Sequence, residues 1–236
     1  MPANPGLDTP IGSANTGSAT YTSSGLINIL MAAFWTKSTT VASVSSTHYA
    51  SGLWQQRKSF VVTHSGETLE LATWWGPVSE IGQTLTSEVV TPSYAAGNGG
   101  ESIIVVGVNN VNNITPWDAN GSLPATGENV SGSSTPSVTI STTNVNPLVI
   151  GLVGTSLNQT LGNNPGASFT FDLHEHAGNG GPDTDLALEH YAHTGALSGF
   201  AATWGVSLNE WTMLVDAFAG SPYVRRRPSQ VSLNRR

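Results

Sequence analysis

The sequence of 236 residues has no cysteine, little charge and no long apolar run. Without cysteine the chain forms neither a disulfide scaffold nor a thiolate metal site. Charged residues make up 10% of the chain, and the only lysines are Lys37 and Lys58, which argues against a helical bundle and against an acidic disordered chain. The longest apolar run, Leu26 to Trp35, is interrupted by Asn28 and is too short to span a bilayer.

Turn-forming and aromatic residues are abundant instead. The chain has 26 Gly and 13 Pro, and Ser and Thr occur throughout. Seven Trp, six Phe and five Tyr supply the large apolar surface that a packed core requires. Short strands joined by Gly, Pro, Asn and Ser turns are the pattern that this composition favours. We therefore predict an all-β protein.

Hydrophobic patterning predicts about ten strands in one antiparallel two-sheet sandwich, jelly-roll-like, over residues 19–222. Prolines and glycines in residues 1–18 predict an extended amino-terminal arm, and residues 223–236 form a basic carboxy-terminal arm. The polar stretch 109–135 is predicted to be a long surface loop. The predicted strands are 26–35, 41–47, 59–63, 67–75, 101–108, 136–141, 147–154, 168–176, 186–193, 199–204 and 211–218.

Charge is divided unevenly along the chain. Residues 1–223 hold three bases against fifteen acids, or −12, whereas the last twelve residues hold five Arg and no acid. A nucleic-acid-binding protein would have a broad basic face, so nucleic acid is not the expected partner of the acidic body. The basic tail contacts either nucleic acid or an acidic protein neighbour, and the second is at least as consistent with the sequence.

Three segments resemble a β-sandwich module that recurs in phage virion proteins and in bacterial and archaeal surface proteins. They are VASVSSTHYASGLW at 41–54, ELATWWGPV at 70–78, and IIVVGVN at 103–109 continued by ITPWD at 114–118. Asn109 stands where the module usually has Asp. The resemblance implies a jelly-roll-like sandwich with structural or adhesive duties, and it implies no catalytic residues.

A predicted hairpin concentrates imidazoles and carboxylates. Strand geometry places Asp172, His174 and His176 on one face of the first strand, and Glu189 and His193 on one face of the second. If these faces meet, the five side chains form a site for zinc or a similar ion. Apart from a bound metal ion, the sequence predicts no cofactor.

Two alternatives remain for the same hairpin. One is a solvated polar face that contains histidines without a ligand. The other is a calcium site in the connecting turn, formed by Asn179, Asp183 and Asp185, although the spacing of an EF-hand is absent.

Aromatic residues near polar loops suggest carbohydrate binding. Sugar-binding sandwiches use exposed aromatic faces beside Asn and Asp side chains, and the candidates here are Trp54, Trp117 and Tyr191. The alternative is that these rings belong to the core, as most tryptophans do.

The carboxy-terminal arm is the candidate for assembly. Its Val231 and Leu233 alternate with polar residues and fit a donated edge strand, whose backbone pairs with a sheet edge of another subunit. The arginines Arg225, Arg226 and Arg227 precede that segment and supply its charge.

No catalytic motif is visible, since the sequence has no G-x-S-x-G, no H-E-x-x-H and no P-loop. The expected function is a structural virion protein on the virion surface, either a phage-type capsid decoration protein or a head or tail surface protein that forms homo-oligomers or binds other virion proteins. The first 36 residues hold no Lys or Arg and do not match a signal peptide. The alternatives are an exported cell-surface, filament or adhesion subunit of a bacterium or archaeon, and a carbohydrate-binding module.

Overall fold

A computed structural model describes residues 4–49, 51–64, 66–96, 100–156, 161–177 and 184–220. This part of the chain is all-β, as predicted, with sixteen strands and one 3₁₀ turn at Ser51–Leu53. Within these ranges, no helix is long and apolar enough to cross a membrane.

The strands fall into two successive groups along the chain. The first group is β1 (Gly6–Leu7), β2 (Ile11–Ala14), β3 (Ala19–Tyr21), β4 (Ile29–Lys37), β5 (Val41–Ser46), β6 (Gln55–His64), β7 (Glu67–Pro77), β8 (Glu88–Tyr94) and β9 (Glu101–Asn109). The second is β10 (Ala125–Asn129), β11 (Ser137–Ile140), β12 (Leu148–Thr155), β13 (Thr170–Ala177), β14 (Thr184–Ala192), β15 (Phe200–Thr203) and β16 (Trp211–Phe218).

Two large antiparallel sheets form the centre of the sandwich. One has the order β1-β9-β4-β7-β6, with β2 also paired to β9, and the other has the order β10-β16-β12-β14-β13. A small sheet, β3-β8-β5, packs on the outer face of the first, and β11-β15 packs on the outer face of the second. The predicted sandwich is thus present, and two small outer sheets extend it to four layers.

Burial on both faces explains the continuous apolar strands. Met31 and Trp35 of β4 lie in the core between the two large sheets, whereas Leu30 and Phe34 lie in the core beneath the small sheet β3-β8-β5. Alternate side chains of one strand therefore enter different cores, so both sets must be apolar.

The amino-terminal segment folds back on its own domain. β1 and β2 both pair antiparallel with β9 and extend the first large sheet. The predicted loop 109–135 likewise contains a strand, β10, which pairs with β16.

The second group of strands repeats the topology of the first. The order β2-β9-β4-β7-β6 corresponds to β10-β16-β12-β14-β13, and the outer pair β3-β8 corresponds to β11-β15. This repeat is not apparent in the amino-acid sequence. We call the parts that hold β1–β9 and β10–β16 the first half and the second half.

Irregularities recur at corresponding positions. The register of β6 against β7 shifts at Arg57, and the register of β13 against β14 shifts at Asp172, in each case after two paired residues. A β-bulge is a local feature with its own backbone requirements. Its recurrence shows that the halves correspond residue by residue along these strands.

A buried aspartate also recurs. The backbone N–H and the hydroxyl of Ser24 donate to Asp8, and the same two groups of Thr143 donate to Asp118. Each aspartate lies near the beginning of its half and fixes the loop that leads into a central strand, β4 or β12. This capping interaction is built twice with the same atoms.

Corresponding residues meet where the halves pack. Ile29 and Leu148 both begin central strands and pair with the ends of β9 and β16, so Trp35 corresponds to Gly154. The indole Nε1 of Trp35 donates to the Thr155 carbonyl at 3.0 Å, and the indole ring lies against Gly154. Contact between corresponding residues is the mark of a two-fold relation, here a pseudo-two-fold within one chain.

We expect Gly154→Ala to destabilise the protein by about 1–3 kcal/mol, because overpacking a core displaces its side chains. A Cβ at this position would lie 2.5 Å from Cδ2 of Trp35. Urea unfolding measures the effect, with Gly121→Ala as control, since a Cβ there meets nothing within 4 Å. Equal stability of the two variants would contradict the close packing at the pseudo-two-fold.

Candidate functional site

The candidate site is the polar surface of β13 and β14, which pair antiparallel as the sequence predicts. His174 Nε2 and His176 Nδ1 lie 2.9 and 2.6 Å from the same oxygen, Oδ1 of Asp185. Asp185 is buried, His174 is mostly buried and His176 is more exposed. Two imidazoles therefore share one carboxylate oxygen at the rim of the sheet.

The other predicted metal ligands go elsewhere. Asp172 accepts from Nδ1 of His190 at 2.8 Å, and His193 Nδ1 lies 2.7 Å from the Tyr191 hydroxyl. Glu189 accepts from the Gly166 backbone N–H at 2.8 Å.

The prediction that these five side chains meet at one point is therefore wrong. The register shifts at the bulge at Asp172, and the observed contacts join His174 and His176 to Asp185 and Asp172 to His190. Across the described ranges, no group of three His, Asp or Glu side chains is arranged to hold a metal ion. The alternative calcium turn, with Asn179 and Asp183, lies outside the described residues.

The first half provides an internal comparison. At the position of the His174–Asp185 pair it has Ser59 and Glu70, whose side chains also hydrogen bond. The second oxygen of Glu70 accepts from the Val41 N–H at 2.6 Å, whereas Oδ2 of Asp185 is buried with no hydrogen-bond partner in the described structure. One side-chain donor, Ser59, serves the carboxylate in the first half, whereas two imidazoles contact the carboxylate in the second half.

Glu189 is the most strongly perturbed acid of this region. The pKa of Glu189 is raised to about 8, chiefly by burial and also by the negative charge of Asp172, and the hydrogen bond from the Gly166 N–H offsets this only in part. The side chain is fully buried and its Oε1 has no hydrogen-bond partner in the described structure. Glu189 is thus a neutral, structural carboxylic acid at pH 7 rather than a ligand.

The predicted sugar-binding aromatics are packed rather than displayed. Trp54 is 4% exposed and belongs to the outer core of the first half. Trp117 stacks on Phe218 with ring centroids 4.3 Å apart, and the Arg57 guanidinium lies 5.0 Å from the centroid of its ring. The exposed face that a sugar would need is therefore missing at both tryptophans.

Tyr191, the third predicted aromatic, lies at the surface and is half-buried. Its ring stacks on Phe200 at 5.4 Å and its hydroxyl contacts His193. The predicted assembly residues Arg225, Arg226, Arg227, Val231 and Leu233 lie outside the described residues.

The outermost strands β6 and β13 are corresponding edges of the two large sheets. Both have their bulge near the first residues, and a bulge limits unwanted pairing at a sheet edge. Arg57 at the first bulge forms a bidentate ion pair with the buried Asp216 of the opposite sheet, at 2.8 and 3.1 Å. Beyond the bulges the edge backbones are regular and are the natural positions for an added strand.

The chain matches no protein-family model, no curated protein and no solved structure.

Proposed function

We propose that the protein is a structural virion protein, of the kind that decorates a phage-type capsid or forms the surface of a head or tail. The observation that carries the proposal is the pairing of two corresponding β-sandwich halves within one chain. Within each half the chain crosses more than once between a large and a small sheet, as from β7 through β8 to β9 and from β14 through β15 to β16, which supports a jelly-roll-like assignment. Jelly rolls are a common architecture of viral capsid domains.

The packing of the sheets is suited to a rigid structural subunit. Both large sheets are covered on both faces, and three apolar clusters run through the layers. Dense cores of this type deform little and transmit strain. The proposed mechanism is assembly, in which edge strands and terminal arms of neighbouring copies join rigid sandwiches on the virion surface.

The test compares the full chain with residues 4–220, a piece that contains every described strand. We expect light scattering to give oligomers for the full chain and a monomer for 4–220, and electron microscopy to show ordered arrays for the full chain alone. Since residues 221–236 contain the only strongly basic segment, their removal should abolish assembly. A full chain that remains monomeric would contradict self-assembly. If the gene encodes a signal sequence upstream of Met1, the protein is an exported surface subunit rather than a virion protein.

A further inference from the structure

One end of the sandwich is defined by the strand registers. In the first half, Ile29 at the start of β4 pairs with Pro77 and Val108 at the ends of β7 and β9. In the second half, Leu148 at the start of β12 pairs with Ala192 and Phe218 at the ends of β14 and β16.

The two starts lie at the same end of the molecule. Arg57, near the start of β6, binds Asp216, near the end of β16, whereas Trp35, near the end of β4, binds Thr155 at the end of β12. The two large sheets therefore pack with the starts of β4 and β12 at one end of the molecule and the ends of both strands at the other. The loops before β4 and before β12 project from this common end.

Exposed aliphatic side chains concentrate there. Of the seven large hydrophobic side chains that are exposed in the described residues, five lie in loops at this end, and we call these five the apolar tips. They are Leu26, Leu53, Ile81, Ile114 and Val145. Ile81 is 90% exposed, and Leu26 (60%) and Val145 (64%) occupy corresponding positions of the two halves.

The surroundings of the tips are nearly free of charge. The five segments that hold the tips, 22–28, 47–54, 78–87, 110–117 and 141–147, contain one charged residue, Glu80. Leu26 and Ile81 belong to adjacent loops, since a Cβ on Gly82 would lie 3.0 Å from the Leu26 Cβ. Five exposed aliphatic side chains at one end, two of them at corresponding positions of the halves, mark this end as an interaction surface.

The chain enters and leaves the described structure at this end as well. Gly6 pairs with Asn109 at the end of β9, and Gly220 forms a bridge with Val111. The sixteen residues 221–236 hold five Arg and no acid, and fully extended they reach about 50 Å. The rest of the chain has the opposite formal charge, three bases against fifteen acids, and nine of these acids are buried.

We propose that the apolar tips are the face on which a second copy of this chain docks. The tips of one copy bury against the neighbour while its basic arm lies along the neighbour's acidic body, so apolar burial and charge complementarity act together. This inference rests on the proposed function and names the surface through which it operates.

The test places two carboxylates on the tips of the full chain. Leu26→Asp with Val145→Asp adds one charge to each half, and the matched control, Val61→Asp with Val130→Asp, adds the same charge at exposed apolar positions away from this end. Sedimentation velocity measures self-association, and circular dichroism checks that each variant folds. We expect the tip variant to associate about 100-fold more weakly, roughly tenfold for each buried aliphatic side chain, and the control to associate like the wild type.

Other outcomes overturn the inference in distinguishable ways. If the tip variant associates like the wild type, the face is wrong while self-assembly stands. If the control loses association and the tip variant keeps it, the edge strand or the far end is the contact. If the wild type is monomeric but co-sediments with phosphatidylserine-containing vesicles, and the tip variant does not, the tips contact lipid rather than a second copy.

Discussion

We expect Glu189→Gln to stabilise the protein above pH 8 by about 3–5 kcal/mol and to leave its stability near pH 4.5 almost unchanged. The pKa of Glu189 is about 8 in the folded protein, against 4.5 for the ordinary side chain. Between these values the unfolded chain ionises while the folded protein stays protonated. Stability therefore falls as pH rises through this window, and glutamine removes that loss because it does not ionise.

Urea unfolding of wild type and Glu189→Gln from pH 4.5 to pH 9 measures this difference. The control is Glu128→Gln, which changes an exposed carboxylate on β10 and should keep the wild-type dependence on pH. Other buried acids titrate in both proteins, so the difference between the two curves isolates Glu189. Parallel curves for wild type and Glu189→Gln would refute the neutral carboxylic acid in the core.

We expect Asp118→Ala to lower stability at pH 7 by about 3–4 kcal/mol, since it leaves several buried donors without an acceptor. The carboxylate accepts from the backbone N–H groups of Asn120, Thr143 and Asn144 and from the side chains of the last two. Asp8→Ala, at the corresponding position, should cost somewhat less, because Asp8 accepts from fewer groups, which belong to Thr9, Tyr21 and Ser24.

The dependence on pH gives this prediction a second measurement. Burial opposes ionisation of Asp118, but the hydrogen bonds from Thr143, Asn144 and Asn120 outweigh it and lower the pKa of Asp118 below 3.8. The stabilisation is therefore complete above pH 4 and is lost as pH falls through the folded-state pKa. Denaturation midpoints of wild type and Asp118→Ala should converge in acid, and a constant difference down to pH 2 would argue against an ionised loop anchor.

The central strands could be predicted from sequence because burial on two faces demands uninterrupted apolar residues. β4, β9, β12 and β16 are such runs, and each lies within or close to its predicted bounds. The strands β1, β2, β3 and β10 were missed because they are short or rich in Gly, and β8 because it includes Pro92 and buries Glu88. Their strand conformation depends on pairing with a partner rather than on local preference.

Neither the repeat nor the pairing of side chains in the polar site could be predicted from the sequence. Corresponding residues differ in chemistry, as Trp35 and Gly154 do, so the halves resemble each other in register and not in sequence. The bulge at Asp172 is likewise invisible in a pattern of alternation, and a one-residue shift sends a side chain to the other face. The histidines were located on the correct strands, but their partners were not.

The central claim is that this protein is a structural subunit that assembles with copies of itself. The most direct measurement is the sedimentation velocity of the full chain over a hundredfold range of concentration at low salt. If copies of the chain assemble, we expect a weight-average mass that rises with concentration above the 24.5 kDa of one chain. A single species of 24.5 kDa over the whole range would contradict it.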